Sequence, residues 1–432
     1  MSRVTLPVSE LYVLANATVP LASVVADLPA GQEGLTLADI VVSSGKVSAI
    51  LPGGSADPLL PSLDLKGRMV WPCFTDMHTH LDKGHIWERQ PNVDGSFMGA
   101  LNAVMSDRSA HWSASDVSKR MEFSLKSAYA HGTQLIRTHL DVFPGQHRVS
   151  FDVFAELREK YAGKVEMQAV SLMGFEAFDD LPFFNDLVTV VRENHGLLGG
   201  FPQMSTILDA NLDTLFRAAA DNGLDLDLHV DETSNPEART LKAIAESSLR
   251  NGFEGKVTVG HCCSLAVQSE DDAKQTIDLV AKAGLAVVSL PMCNMYLQDR
   301  QAGRTPRWRG VTLFNELAAA GVETAVASDN TRDPFYAYGD LDPVEVFREA
   351  VRTLHIDHPL TDASRIVTST PASVLRRPEL GKIAVGQPAD LVVFSARRWS
   401  EFLSRPQMDR TVIRNGKVID ATVPDYSELD TL

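Results

Sequence analysis

From Met69 to about Ala372 the chain alternates short apolar runs with stretches whose apolar residues recur at helical spacing. The strand candidates are 69–78, 133–139, 165–172, 197–201, 224–229, 257–261, 285–290 and 323–328. Helical stretches lie between them at 113–131, 149–161, 208–221, 235–251, 269–283 and 311–320, and several end near a glycine: Gly132, Gly223, Gly284 and Gly321. A strand–helix unit repeated in this way builds a parallel sheet. Eight strands predict an α/β fold in which that sheet closes into a (β/α)8 barrel of the TIM type. A doubly wound open sheet is the alternative. No Gly-x-Gly-x-x-Gly follows the first strand, which argues against it.

The flanks read differently. Residues 10–68 hold short apolar runs broken by turn signals, with a hairpin or turn expected within 40–47. After Gly381 the β texture returns, and Asn415-Gly416 between apolar runs marks a hairpin. Both chain ends are therefore expected to build one small, sandwich-like β domain. The expected boundaries are 1–68 and 381–432 for the β domain and 69–380 for the barrel.

Composition narrows the function. Lys plus Arg total 40 against 56 Asp plus Glu, a formal net charge of -16 that disfavours nucleic acid and anionic membrane as partners. No run of about 18 apolar residues suggests a membrane span. The N-terminus lacks a charged region typical of a secretion signal. Four cysteines without a C-x-x-C are expected to be buried thiols in a reducing compartment, so the cytoplasm is the simplest placement.

Barrel enzymes keep their chemistry at the C-terminal ends of the strands. The first expected strand ends in Met77-His78-Thr79-His80-Leu81-Asp82, and residues i and i+2 of a strand share a face. The second ends in Thr138-His139-Leu140-Asp141, the fifth in His229-Val230-Asp231-Glu232, the sixth in Gly260-His261-Cys262 and the eighth in Ser328-Asp329-Asn330. One histidine at a strand end is commonly a structural one. Imidazoles and carboxylates at the same end of many strands point to a metal site instead. His78, His80, His229 and Asp329 would supply three imidazoles and a carboxylate to an ion that acidifies bound water. Glu232 and His261 would then be free for proton transfer. The structural alternatives are that Glu232 caps the helix starting near Asn235 and that His261 hydrogen-bonds within the barrel.

These motifs resemble the amidohydrolase superfamily, and within it the cytosine deaminase-like group, which includes relatives of N-isopropylammelide hydrolase. Supporting stretches are His80-Leu81-Asp82-Lys83, Asn294-Met295-Tyr296-Leu297-Gln298-Asp299-Arg300 and Gly386-Gln387-Pro388-Ala389-Asp390-Leu391-Val392. The resemblance implies one divalent metal ion per chain, zinc or iron, on His78, His80, His229 and Asp329. It implies proton shuttling to a ring nitrogen by Glu232, assistance to the attacking water by His261, and proton transfer towards leaving ammonia by Asp329. The implied activity is deamination of a small nitrogen heterocycle, a cytosine-like pyrimidine or a triazine. Alternatives are hydrolysis of another C–N bond, as in an N-alkylaminotriazine or cyclic amide, and a non-catalytic barrel used for binding. Barrels of this kind often form homo-oligomers.

Departures from the group's pattern bear on the substrate. Members with two metals bridge them with a carboxylated lysine near strand four, and none stands here. A Phe-Pro-Gln expected after the third strand is replaced by Leu172-Met173-Gly174, while Phe201-Pro202-Gln203 comes one strand later. Asn330 stands where a second aspartate is expected. Lys83, Trp87, Gln203 and Asn330 are the candidate substrate-binding residues. His139 and Asp141 are expected behind the site or in a structural role. The arginine-rich loop 300–309 is expected to be solvated and salt-bridged to the acidic body, with binding of an anionic substrate group or phosphate as the alternative.

Overall fold

The computed structural model describes residues 4–432. Its first strands are β1 (Leu11–Pro20), β2 (Val24–Val25), β3 (Leu35–Ser43), β4 (Lys46–Pro52), β5 (Ser62–Asp64) and β6 (Val70–Pro72). Eight barrel strands follow: β7 (Phe74–Thr79), β8 (Thr133–Asp141), β9 (Glu166–Gly174), β10 (Leu198–Phe201), β11 (Leu226–Val230), β12 (Val257–His261), β13 (Ala286–Ser289) and β14 (Glu323–Val326). The last are β15 (Ile383–Ala384), β16 (Leu391–Val393), β17 (Thr411–Arg414) and β18 (Lys417–Val418).

β7 to β14 lie side by side in chain order, and each pair from β8 to β14 runs parallel. The ring closes where Thr79 of β7 bridges Asp329, just past β14, in parallel. The Asp329 amide donates to the His78 carbonyl at 2.8 Å across this seam. The barrel expected from the alternating texture is therefore the observed fold.

Helices connect the strands: α1 (Phe97–His111), α2 (Ala114–His131), α3 (His147–Lys160), α4 (Leu181–Glu193), α5 (Leu208–Asn222), α6 (Thr240–Arg250), α7 (Glu270–Ala283), α8 (Pro291–Leu297), α9 (Phe314–Ala319) and α10 (Pro343–Leu354). α5 and α7 end at Gly223 and Gly284 in the left-handed conformation, as the sequence suggests. The sequence reading has no helix at α4. That helix starts from an Asp180 cap and buries Phe183, Phe184, Leu187, Val188, Val190 and Val191.

The apolar run expected as one strand over 69–78 is two. β6 pairs antiparallel with β16. The ladder stops at Pro72, which has no amide hydrogen. Cys73 then donates to the Asp390 carbonyl, and β7 begins at Phe74.

The chain falls into two units. One comprises residues up to Thr75, Lys126–Gln134 and Asp342–Val423; the other comprises Asp76–Leu125, Leu135–Leu341 and Pro424–Leu432. The first holds two four-stranded sheets, β4-β3-β1-β5 and β18-β17-β16-β6, over a shared apolar core that includes Leu14, Ile40, Val70, Leu391 and Ile413. The expected turns are present: Ser44-Gly45 joins β3 to β4, and Asn415-Gly416 joins β17 to β18, all four residues at positive φ. The sequence boundary at 380/381 followed the change of texture. In the structure α10 groups with the β strands, because Phe347 packs edge-on against Trp71 at 5.3 Å beside Phe402, which stacks on Trp71 at 4.8 Å. The terminal Pro424–Leu432 segment groups with the barrel instead. Among the described residues no helix is long and apolar enough to cross a membrane.

Candidate active site

The side chains singled out in the sequence gather at the C-terminal ends of the barrel strands. Extended backbone puts Asp76, His78 and His80 on one face of β7 and its continuation. His229 lies in β11, His261 ends β12, and Asp329 follows β14 at the seam. His78 Nε2 is 3.2 Å from His229 Nε2, which is 3.1 Å from His80 Nε2. Asp329 Oδ1 lies 3.2 Å from His80 Nε2 and 3.6 Å from His78 Nε2. His261 borders the same point: single donor atoms of His78, His229, His261 and Asp329 all fall within 4.8 Å of one another.

These groups have little to offer each other as they stand. Burial, reinforced by the crowding of the other imidazoles and, for His78 and His80, by Lys83, holds His78, His80 and His229 well below the ordinary histidine range, so the imidazoles are neutral. Burial raises Asp329 to about 7. Among the described residues the Nδ1 atoms of His78 and His229 have no hydrogen-bond partner, and the Asp329 carboxyl meets only the Cys293 thiol. Each such buried atom costs roughly 1–3 kcal/mol. Neutral imidazoles and a carboxylate converging on one point form the donor set of a divalent transition ion, so the residues present fit one. A second grouping of His78, His139 and Asp227 fits less well, because Arg137 already donates to Asp227 at 2.8 Å.

Glu232 lies just after β11 with 13% of its side chain exposed. It does not cap α6. That role falls to Asp231, whose carboxylate accepts from the amides of Thr240 and Leu241 at 3.0 Å. Glu232 instead accepts from Asn294 Nδ2 at 3.1 Å, and its backbone carbonyl accepts from Gln298 Nε2 at 3.1 Å. Burial, with the nearby Asp329 charge, pushes the Glu232 carboxyl well above its ordinary range. His261 Nδ1 is 3.0 Å from the same Asn294 Nδ2.

Lys83 is buried and donates to Asp141 at 3.2 Å, with its ammonium 5.1 Å from the Phe335 ring centre. Burial opposes its charge, but Asp141, Asp333 and Asp82 outweigh that and raise its pKa. Asn330 is buried too, but both ends of its amide are engaged: Nδ2 donates to Asp333 at 2.7 Å, and Oδ1 faces the Cys293 thiol at 3.7 Å. Trp87 is half-buried and tied through its amide to the Arg332 carbonyl. Gln203 is exposed on the loop after β10. His139 packs its ring 4.0 Å from that of His78. In the arginine-rich loop, Arg304 pairs with Asp299, and Arg300 lies over the Tyr296 ring at 4.4 Å.

Residues 150–420 match the model of the amidohydrolase family. A pterin deaminase of Rhizobium rhizogenes is 67% identical over 426 residues, 99% of this chain and 98% of that protein. The chain belongs to the amidohydrolase family. An N-isopropylammelide isopropyl amidohydrolase of a Pseudomonas species is 25% identical over 389 residues, 87% of this chain and 90% of that one. Among solved structures, a 5-methylcytosine deaminase from Klebsiella pneumoniae liganded with 5-fluorocytosine superimposes with a TM-score of 0.81 at 24% identity, covering 96% of this chain and 98% of that one. As an amidohydrolase the protein is a metal-dependent enzyme that hydrolyses C–N bonds.

Several residues of this amidohydrolase site escaped the sequence reading. Asp76 accepts from the Ser328 amide at 3.1 Å and its hydroxyl at 2.5 Å, fastening the turn that carries Asp329. Its signal was the same two-residue period that links His78 and His80. Gly260 leaves room for His78: a Cβ there would stand 2.8 Å from His78 Cε1. Asn294 and Gln298, four apart, reach Glu232 from one side of α8 and its cap. Backbone conformation gave no sequence signal at all. His261 and Asp329 sit at φ of 68° and 63°, in the left-handed region that costs a non-glycine residue roughly 1–2 kcal/mol. Such conformations concentrate at functional sites.

Proposed function

We propose that this amidohydrolase deaminates a pterin, using one zinc or iron ion held by His78, His80, His229 and Asp329. The observation that carries the reading is the 67% identity to a pterin deaminase, sustained over 99% of the chain. A pterin is a 2-amino-4-oxopyrimidine fused to a pyrazine. Its C2 bears the amine between two ring nitrogens, so it is amidine-like in the way expected of a cytosine-type substrate. The reaction adds water at C2 and releases the amine as ammonia, leaving a 2,4-dioxo ring.

The ion, when bound, supplies a water acidified towards neutral pH as the nucleophile. Glu232, kept protonated by burial, donates to the ring nitrogen beside C2 and makes that carbon electrophilic. Asp329 accepts the proton released as water adds and passes it to the departing amine. His261 stabilises charge on the adding oxygen. Lys83, a buried cation, offers a donor to the ring carbonyl, and half-buried Trp87, four residues on, is assigned to the same wall. Asn330 shapes this wall through Asp333, and Gln203 guards the outer loop. The free, buried state of all four cysteines supports a cytoplasmic setting.

The test is ammonia release by metal-quantified protein across pterin, isocytosine, cytosine, ammelide and N-isopropylammelide. Pterin turnover with about one ion per chain is expected. Turnover confined to monocyclic bases, or release of alkylamine in place of ammonia, would overturn the reading.

A further inference from the structure

Asn294 is wholly buried and comes from α8, an element to which the proposed chemistry gives no part. Its amide nitrogen is 3.1 Å from Glu232 Oε1 and 3.0 Å from His261 Nδ1. Those two acceptors are 3.5 Å apart, too far for a direct hydrogen bond, so the amide is what links them. The amide NH2 has two hydrogens and no lone pair to share. One serves the carboxyl oxygen and the other the imidazole nitrogen.

We infer that Asn294 is a positioning residue that decides where the protons of Glu232 and His261 sit. A nitrogen that accepts a hydrogen bond cannot also carry a hydrogen along that bond. With the amide so oriented, His261 Nδ1 is the bare nitrogen, and the ring proton resides on Nε2, which has no partner among the described residues. By the same argument Glu232 Oε1 is an acceptor, and any proton on this carboxyl is carried by Oε2. The consequence for the proposed reaction, on which this inference rests, is a division of labour. His261 enters the cycle as a donor through Nε2–H, so it steadies developing negative charge at the adding oxygen and does not abstract the first proton. The first proton goes to a carboxylate. Gln298, four residues along, fixes the Glu232 backbone and keeps the amide in register.

The amide orientation and the proton positions of its two neighbours are set together. Turned over, Asn294 Oδ1 would face the same two atoms, and both would then have to present hydrogens to it: a hydroxyl at Oε1 and a hydrogen on Nδ1. The two groups thus face the amide as acceptors together or as donors together.

The deciding measurement is 15N-histidine NMR of the zinc-loaded protein without substrate, with the His261 resonances assigned by their loss in His261→Gln. The expected result is a protonated Nε2 and a bare Nδ1. In Asn294→Asp the carboxylate accepts where the amide donated, so the proton moves to Nδ1. There kcat falls by about 100-fold, with zinc content and KM kept near wild type. Asn294→Ser, which retains a small donor, recovers part of the kcat and the wild-type tautomer. A wild-type His261 protonated at Nδ1, or an unchanged tautomer in Asn294→Asp, would overturn the inference. So would a loss confined to KM or to zinc content, which would mark Asn294 as a packing residue only. The tautomer is read without substrate. A failure of the pterin assignment would appear separately, as a correct tautomer in a protein that does not turn pterin over.

Discussion

Two buried aspartates, one in each unit, meet opposite fates. Asp342 caps α10 and receives Arg410 Nη1 and Nη2 at 2.6 and 2.5 Å, with the Val344 amide at 2.9 Å. Burial alone would raise its pKa, but the guanidinium and His131 outweigh that and hold it below the ordinary carboxylate range. Asp329 is as deeply buried, has no cationic partner among the described residues beyond the neutral imidazoles, meets only the weak Cys293 thiol, and is raised to about 7. A charge matched by its own protein is architecture. A carboxyl group set among neutral imidazoles without such a partner has the donor chemistry of a cation site. Burial alone does not distinguish them; the partner list does.

The comparison breaks most decisively at the ligands. His78→Ala should lose both bound metal and turnover, read by metal analysis and ammonia release. Glu232→Gln should keep its metal and lose about 100- to 10,000-fold in kcat. If both variants retained metal equally, Asp329 would be no more open than Asp342. Next comes Asp342→Asn, which strands Arg410 and should cost about 3–5 kcal/mol of stability in denaturant unfolding at neutral pH.

The two aspartates should also respond oppositely to pH. Asp342 has a folded pKa below the unfolded value of about 3.9, so its stabilisation is complete above that value and disappears as pH falls through the folded pKa. Asp329 is raised, so in chelator-stripped protein the folded chain holds its proton up to about pH 7 while the unfolded chain releases it near 3.9. Stability of the stripped protein should therefore fall as pH rises between these values, and Asp329→Asn should flatten that slope in thermal melts. A melt that rises across the window would contradict the assignment.

How much of this was legible beforehand follows from range. The histidine pairs and Asp329 could be read because a two-residue period and a strand end are local, and the barrel repeats that pattern. The split of 69–78 into β6 and β7 had only Pro72 to mark it, because the partners that separate the two halves, β16 and Asp390, lie far along the chain. The Asp342–Arg410 pair, 68 positions apart, could not be read, because local sequence leaves it as two unrelated charges. In sequence Glu232 is as good a cap candidate as its neighbour, yet Asp231 takes the cap because α6 starts only at Thr240 and a left-handed Asp231 turns its carboxylate back to it.

Smaller effects sharpen the picture. Gly260→Ala brings a Cβ to 3.2 Å from His78 Nδ1 and 2.8 Å from Cε1, so metal affinity should weaken by about 10- to 100-fold while the fold holds. Competition with a chelator would measure it. Gln203→Ala, on an exposed loop, should change stability by less than about 0.5 kcal/mol. A large KM effect there would bring the loop after β10 into substrate recognition.

The seam of the barrel has a consequence for biosynthesis. The Asp76 carboxylate waits for Ser328, 252 positions later, and Thr79 waits for Asp329. A nascent chain emerges over many seconds, N-terminal segments first. For most of that time it carries His78 and His80 without their acidic partner, so a stray ion meets two imidazoles rather than a finished trap. Closing the ring and completing the proposed ligand set are one event, and it must wait until Asp329 has emerged. On the proposed ligand assignment, the chain cannot hold its ion tightly until it has become a barrel.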